Sequence, residues 1–175
     1  MFDLNSPDAM NAGLLFVRIV FGLAMAAHGA QKLFGWFGGY GLSGVSGWLE
    51  SIGYKPGKVF ALAAGLSEFA GGLLITGGVF GPVGPALVIA TMIVAAGSVH
   101  WPNVFAASNG IELPLVYGVG AATLALTGYG LYSLDHAFGL SGLWSPAIVW
   151  TTLVAGIVAA VVTLAYRHPQ QKATA

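Results

Sequence analysis

The chain has 175 residues, 57% hydrophobic and only 7% charged, with six basic and six acidic side chains, a formal net charge of zero and no cysteine. A soluble domain carries about a quarter of charged residues because a surface facing water needs them, so so few charges point to a surface that faces lipid. No basic run follows a phosphate backbone, which argues against a nucleic-acid partner. The lack of cysteine excludes thiol exchange, CxxC haem attachment and iron–sulfur ligation by this chain.

The N-terminal stretch holds Asp3 and Asp8 but no Lys or Arg before Arg18. A signal peptide wants a basic leader and an uninterrupted apolar core, so the first apolar segment, residues 12–34, is expected to be a retained membrane helix. The segment after it, residues 35–57, is the longest connection and carries Trp36, Tyr40, Trp48 and Tyr54, which suit a flap at the membrane interface. Four further apolar segments follow at residues 58–80, 83–101, 112–133 and 145–166, each long enough to cross a bilayer. Gly- and Pro-rich breakers separate them. The second and third segments form a tight hairpin around Pro82 and Pro85, and the fifth has no ionisable residue inside it and reads as a peripheral, lipid-facing helix. No repeat or linker is visible, so residues 1–175 are expected to form a single transmembrane domain.

With five crossings, Lys32, Lys55, Lys58, Arg167 and Lys172 share one side, against Arg18 alone toward the other. The positive-inside rule then places the N-terminus outside and the C-terminus in the cytoplasm.

The ionisable residues inside the spans carry the functional signal. Glu68 lies in the middle of an otherwise apolar segment, where a charge costs several kcal/mol unless it faces protein and has a partner. Arg18, Gly22, Met25, Gly29 and Lys32 are spaced 4, 3, 4 and 3, a single stripe down the first helix. His28 and Lys32 are one turn apart on one face. Antiparallel packing brings His28, Lys32, His100, Trp101 and Glu112 toward one membrane side, with Glu68 at mid-depth and Arg18 or His28 within its reach. Each has a plain structural reading too: Arg18 with Glu68 as an ion pair fixing helix register, Lys32 and Glu112 snorkelling to the interface, His100 closing a helix C-terminus. The spacings match no helical metal signature, and no metal site is expected.

The segments RIVFGLAMAAHGAQKLFG, LSEFAGGLLITGG, SVHW and NGIELPLVYGVGAATLALTGYGLYSLD together resemble the DoxX family of small bacterial and archaeal membrane proteins, over roughly residues 14–136. The resemblance rests on Arg18, Gly29 and Lys32, on Glu68 with Gly71 and Gly72, and on Gly128-x-Gly130-x-Tyr132-Ser133-Leu134-Asp135. Family members often have Pro where this chain has Tyr129 and a basic residue where it has His136. Members are typically four-helix bundles with the N-terminus inside, so the fifth segment is an addition and the orientation is left open. The family takes its name from a subunit of a thiosulfate:quinone oxidoreductase, and other members are linked to quinone or catechol stress or to redox-defence enzymes.

The expected molecule is therefore an all-α integral membrane helical bundle, a four-helix DoxX-like core plus a fifth C-terminal transmembrane helix, multi-pass in the cell membrane. What the resemblance implies is a quinone-linked oxidoreductase subunit. His28, Lys32 and His100 would supply donors to a quinone headgroup in a polar pocket under the first loop, with Trp36 or Trp101 at its mouth. Glu68 and Glu112 would relay protons, with Arg18 beside Glu68. No group of the chain carries electrons unaided, so a partner subunit or diffusible cofactor is implied, and a homo-oligomer remains open. The rival readings are a non-catalytic membrane anchor for a soluble redox-defence enzyme, and a pathway for protons or a small solute.

Overall fold

A computed structural model of the protein describes residues 6–168; Asp3 and Lys172 of the charge count lie outside the described residues. The elements in chain order are α1 (Pro7–Phe34), α2 (Gly41–Ser51), α3 (Gly57–Gly77), α4 (Val83–Ala95), α5 (Glu112–Thr127), the single turn α6 (Leu134–Ala137) and α7 (Pro146–Ala165). All described elements are helical. Local chemistry sets most of the ends. Ser6 accepts the Ala9 N–H ahead of Pro7, and Ser145 accepts the Ile148 N–H ahead of Pro146, so both helices start on a hydroxyl cap followed by a residue with no donor to lose. Gly35 (φ 74°) and Gly78 (φ 63°) close α1 and α3 in the left-handed region that favours glycine.

Four helices are long and apolar enough to cross a membrane, α1, α3, α4 with its continuation to His100, and α7. The expected span over 112–133 is shorter than the sequence pattern suggests. α5 stops at Thr127 after 16 residues, about 24 Å, because Gly128 takes φ 74° and ψ −178°, a conformation essentially confined to glycine. Residues beyond it fold over the end of the bundle instead of continuing the helix.

α1 lies along α3, α3 along α4, and α4 along α5, with α5 returning to α1; α7 packs on the outside of α4, and α2 covers the start of α3. The sequence stripe is the α1 contact face: Arg18, Gly22, Met25 and Gly29 are all buried. α1 and α3 touch backbone to backbone. A Cβ at Gly29 would come within 3.0 Å of the Phe69 and Gly65 backbone, and one at Gly72 within 3.0 Å of Ala26 and Gly22. Lipid offers no hydrophobic drive between helices, so this close approach of small residues is what brings them together. Met25, Ile75, Val88, Met92, Leu124 and Tyr129 fill the space between the four core helices.

The connection over 35–57 is more than a flap. Val45 and Leu49 of α2 are buried with Tyr54 against Ala61, and the Tyr54 hydroxyl meets Ser98 Oγ at 2.5 Å where α4 widens into a π-helical turn, Ala96–His100. Trp36, Phe37 and Tyr40, ahead of α2, stay exposed. The end of α7 is fastened beneath this region: Arg167 Nε donates to the Ile52 carbonyl (2.8 Å) and the His168 N–H to the Gly53 carbonyl (3.0 Å).

Candidate functional site

Glu68 is 3% exposed and forms an ion pair with the Lys32 ammonium. The expectation that Arg18 stands beside Glu68 is not met, and the cause is helix register. The glycine contacts set Gly29 against Gly65 and Phe69, so Glu68 is level with Gly29 and Lys32, level with Gly65, reaches back one turn to it, while Arg18 lies against Gly78. Ten residues of α3 separate Glu68 from Gly78, about 15 Å. Lys32 is part-exposed and spans from the carboxylate toward the C-terminal end of α1. His28, one turn back, is exposed on the helix surface, with its ring edge-on to Tyr117 at 5.6 Å.

The other residues expected beside this pair are used elsewhere. His100 Nδ1 is 2.9 Å from the Asn109 carbonyl, tying the end of α4 to the following loop. Glu112 is exposed and accepts the Ala106 N–H at 2.7 Å, a brace across the same loop. Trp101 is exposed in that loop. Neither cavity described below is lined by His28, Lys32, Glu68, His100, Trp101 or Glu112. Among the described residues, no three His, Asp or Glu side chains stand together as metal ligands.

A second polar centre, which the sequence reading did not single out as a site, occupies the N-terminal end of α1. Arg18, 1% exposed, donates from Nη1 to the Tyr129 carbonyl (2.5 Å) and from Nη2 to the Tyr132 carbonyl (2.8 Å). Its Cζ lies 5.6 Å from the Tyr129 ring centroid, a cation–π approach. Asp135, 2% exposed, accepts the Phe80 N–H on Oδ1 (2.9 Å) and the Gly81 N–H on Oδ2 (2.8 Å), while its own N–H donates to the Gly78 carbonyl. Asn11 Oδ1 accepts the Leu131 N–H at 2.7 Å. The segment 128–136 is thus pinned to α1 by Arg18 and Asn11, and to the α3–α4 turn by Asp135. The Gly-x-Gly and Ser-Leu-Asp pieces of the motif acquire physical reasons: two positive-φ glycines to fold the chain back, a hydroxyl cap for α6, and a carboxylate to hold the turn.

Between this segment, the end of α5 and the start of α7 lies a cavity of about 470 Å³, lined in part by Leu124, Thr127, Tyr129, Asp135, Trp144 and Trp150. Three buried polar atoms around this centre have no hydrogen-bond partner: Tyr129 Oη, Trp144 Nε1 and Arg18 Nε. Tyr129 and Trp144 are among the residues lining the cavity, but the three unpaired atoms themselves have essentially no accessible surface and do not face it. Burial first, and then the Asp135 carboxylate, push the Tyr129 phenol up from its ordinary range, so it stands as a protonated donor. A second cavity of about 410 Å³, between α2, α3, α4 and α7, is lined mainly by apolar groups such as Leu49, Phe60, Leu87 and Val94.

Neither a curated protein nor a solved structure matches the chain. The DoxX family model matches residues 13–101, a little over half of the chain, from the first turns of α1 through the end of the widened turn of α4. The match takes in Arg18, the α1–α3 glycine contacts and the Lys32–Glu68 pair, and it ends before the Gly128–Asp135 segment. On that match, and with the helical membrane bundle that carries it, the chain belongs to the DoxX family.

Proposed function

We propose that this DoxX-family membrane protein is the quinone-binding membrane subunit of an oxidoreductase, with electrons delivered by a partner. The residues first expected to hold the quinone have other partners: Lys32 pairs with Glu68 and His100 Nδ1 with a loop carbonyl, and neither cavity named above is lined by them. In this reading Lys32–Glu68 is an internal strut that holds α1 and α3 in register, and His28 accompanies it at the surface. The observation that carries the reading is the cavity of about 470 Å³ between the end of α5, the segment 128–136 and the start of α7, lined by both apolar and polar residues. A quinone supplies two-electron chemistry when bound; the chain's own part is to seat the ring and keep it at the bilayer boundary.

The rival reading, a non-catalytic anchor for a soluble redox-defence enzyme, is favoured by the exposed aromatic residues before α2: Trp36, Phe37 at 71% and Tyr40 at 87% exposure. Tagged protein withdrawn from membranes in mild detergent, followed by solvent extraction and absorption spectroscopy, decides between them. Extractable quinone together with a flavin- or metal-coloured partner is expected. A colourless complex with a soluble enzyme and no quinone overturns the proposal in favour of the anchor.

A further inference from the structure

We infer that the slot of about 410 Å³ between α3, α4 and α7 holds one acyl chain of an anionic phospholipid, whose headgroup rests among Lys55, Lys58 and Arg167 at the α2 end. The inference stands apart from the quinone reading, which concerns the other cavity.

The shape of the slot follows from the packing. α3 and α7 each lie along α4, and the slot is the gap between them. Ala86, Ala90 and Thr91 of α4 form its floor, while Ala63 of α3 and Ala159 of α7 are exposed at its rims. Along α4 the lining runs from Val83 to Val94, a rise of about 16 Å. That is roughly half of the 30 Å hydrocarbon core, the depth that a chain of one leaflet reaches. α3, α4 and α7 are all long and apolar enough to cross the membrane, so the slot opens to lipid.

The wall asks for hydrocarbon. Its threonines donate to carbonyls of their own helices: Thr91 to Leu87 (3.1 Å), Thr152 to Ile148 (2.8 Å) and Thr163 to Ala159 (2.8 Å). The Tyr54 hydroxyl is paired with Ser98 Oγ. Half-buried Ser67 is the one wall hydroxyl, among the described residues, without a hydrogen bond. A polar ligand would find almost nothing to bond. An apolar cavity does not hold water, and left empty its walls forfeit dispersion contacts. A flexible chain restores them.

Charge fixes which end the headgroup takes. No Lys or Arg occurs between Lys58 and Arg167 in the sequence; Arg18 and Lys32 are engaged inside the bundle. Lys55 follows Tyr54 and Lys58 precedes Val59, both lining residues, and both lysines are exposed. Arg167 joins them from α7: Tyr166 packs on the slot residue Phe60 at 5.7 Å, and Arg167 Nε is held by the Ile52 carbonyl, leaving both Nη groups. Among the described residues none of the three has an ion-pair partner. The carboxylate at this end is Glu50, which accepts the Gly57 N–H at 2.8 Å; His168 Nδ1 lies 2.8 Å from the Tyr166 carbonyl. Three cations against one carboxylate leave the end positive, and basic groups between membrane helices attract phosphate headgroups. A free phosphate satisfies the charges but not the slot; a phospholipid satisfies both.

The test uses the full chain in mild detergent, with dioleoylphosphatidylglycerol and dioleoylphosphatidylcholine titrated separately and bound lipid counted by native mass spectrometry. The Lys55→Gln, Lys58→Gln double variant removes two exposed charges. Ala90→Leu fills the floor of the slot, and Ala63→Leu blocks it from the exposed rim should Ala90→Leu melt below wild type. The expected result is one phosphatidylglycerol per chain, held more tightly than phosphatidylcholine. A lysine beside an anionic headgroup is worth about fivefold in affinity, so the double variant should bind phosphatidylglycerol roughly thirtyfold more weakly. Its phosphatidylcholine binding should not change, whereas the blocking variants should weaken both lipids several-fold. Phosphatidylglycerol binding unchanged in the double variant overturns the headgroup assignment. Binding that falls with the lysines but ignores both blocks is a surface charge effect and overturns the slot. Displacement of the lipid by decylubiquinone, itself insensitive to the lysines, makes the slot a quinone-tail seat and overturns the inference.

Discussion

Gly29→Ala should destabilise the bundle, and by an amount that can be worked from the α1–α3 contact. The added methyl would lie within 3.0 Å of the Phe69 and Gly65 backbone, where nothing flexible can move aside. Overpacking of this kind costs about 1–3 kcal/mol. Replacing glycine by alanine inside a helix returns about 0.5–1 kcal/mol through the lost backbone freedom of glycine. Gly13→Ala gives the matched control: it lies on the same helix, and a Cβ there meets nothing within 4 Å. The propensity gain cancels between the two variants, so Gly29→Ala should be less stable than Gly13→Ala by the overpacking cost alone, about 1–3 kcal/mol. Unfolding in mixed micelles by titrated dodecyl sulfate, followed by circular dichroism, measures the difference. Equal midpoints for the two alanine variants would refute the backbone contact and with it the register that separates Arg18 from Glu68.

Asp135→Asn retains one acceptor for two backbone donors and turns an NH2 toward the other; losing a charge-assisted bond should cost about 1.5–3 kcal/mol in the same assay. The raised Tyr129 phenol makes a contribution to stability that is fully present below the ordinary tyrosine value of about 10 and is lost as pH rises above it. Tyr129→Phe should flatten the alkaline side of the stability curve, and an unchanged curve would contradict the buried phenol. Cysteines introduced singly at positions 70–76 should resist aqueous maleimide, since the chain has no native cysteine and α3 crosses the bundle there; labelling at those positions would contradict the span. Five helices running alternately through the bundle put Ser6 and His168 at opposite ends, so cysteines at those two positions should label from opposite sides of sealed vesicles.

The fold was largely legible because membrane helices write themselves in long apolar runs. The stripe from Arg18 to Lys32 also named the α1 face that packs on α3, since a spacing of 4, 3, 4 and 3 has one geometric meaning on a helix. Periodicity says which face is buried but not how far one helix slides along another. That slide is set by glycine backbones meeting at Gly22, Gly29, Gly65 and Gly72, and it decided that Glu68 meets Lys32. The end of α5 was overrun because Gly128-Tyr129-Gly130 sits in an apolar stretch, and the φ that breaks a helix there leaves no hydropathy signal. The same stretch hid the cavity. Tyr129 stood out only through the resemblance to the Gly-x-Gly and Ser-Leu-Asp motif, and Trp144 carried no signal of its own. Helix α2 had a signal, Leu42, Val45 and Leu49 at helical spacing, masked by the glycines between them.

That the intramembrane charges form two separate centres, Lys32–Glu68 beside the middle of α3 and Arg18 with Asp135 and the Tyr129–Tyr132 backbone at its C-terminal end, is tested most directly by paired double-mutant cycles. Lys32→Met and Glu68→Met, singly and together, are compared with Arg18→Met and Glu68→Met, all by unfolding in mixed micelles. Contact pairs couple by about 0.5–3 kcal/mol, whereas sites well beyond 7–10 Å add to within about 0.5 kcal/mol. A clear coupling for Lys32 with Glu68 and additivity for Arg18 with Glu68 is the result expected. Coupling of Glu68 to Arg18, with none to Lys32, would contradict it.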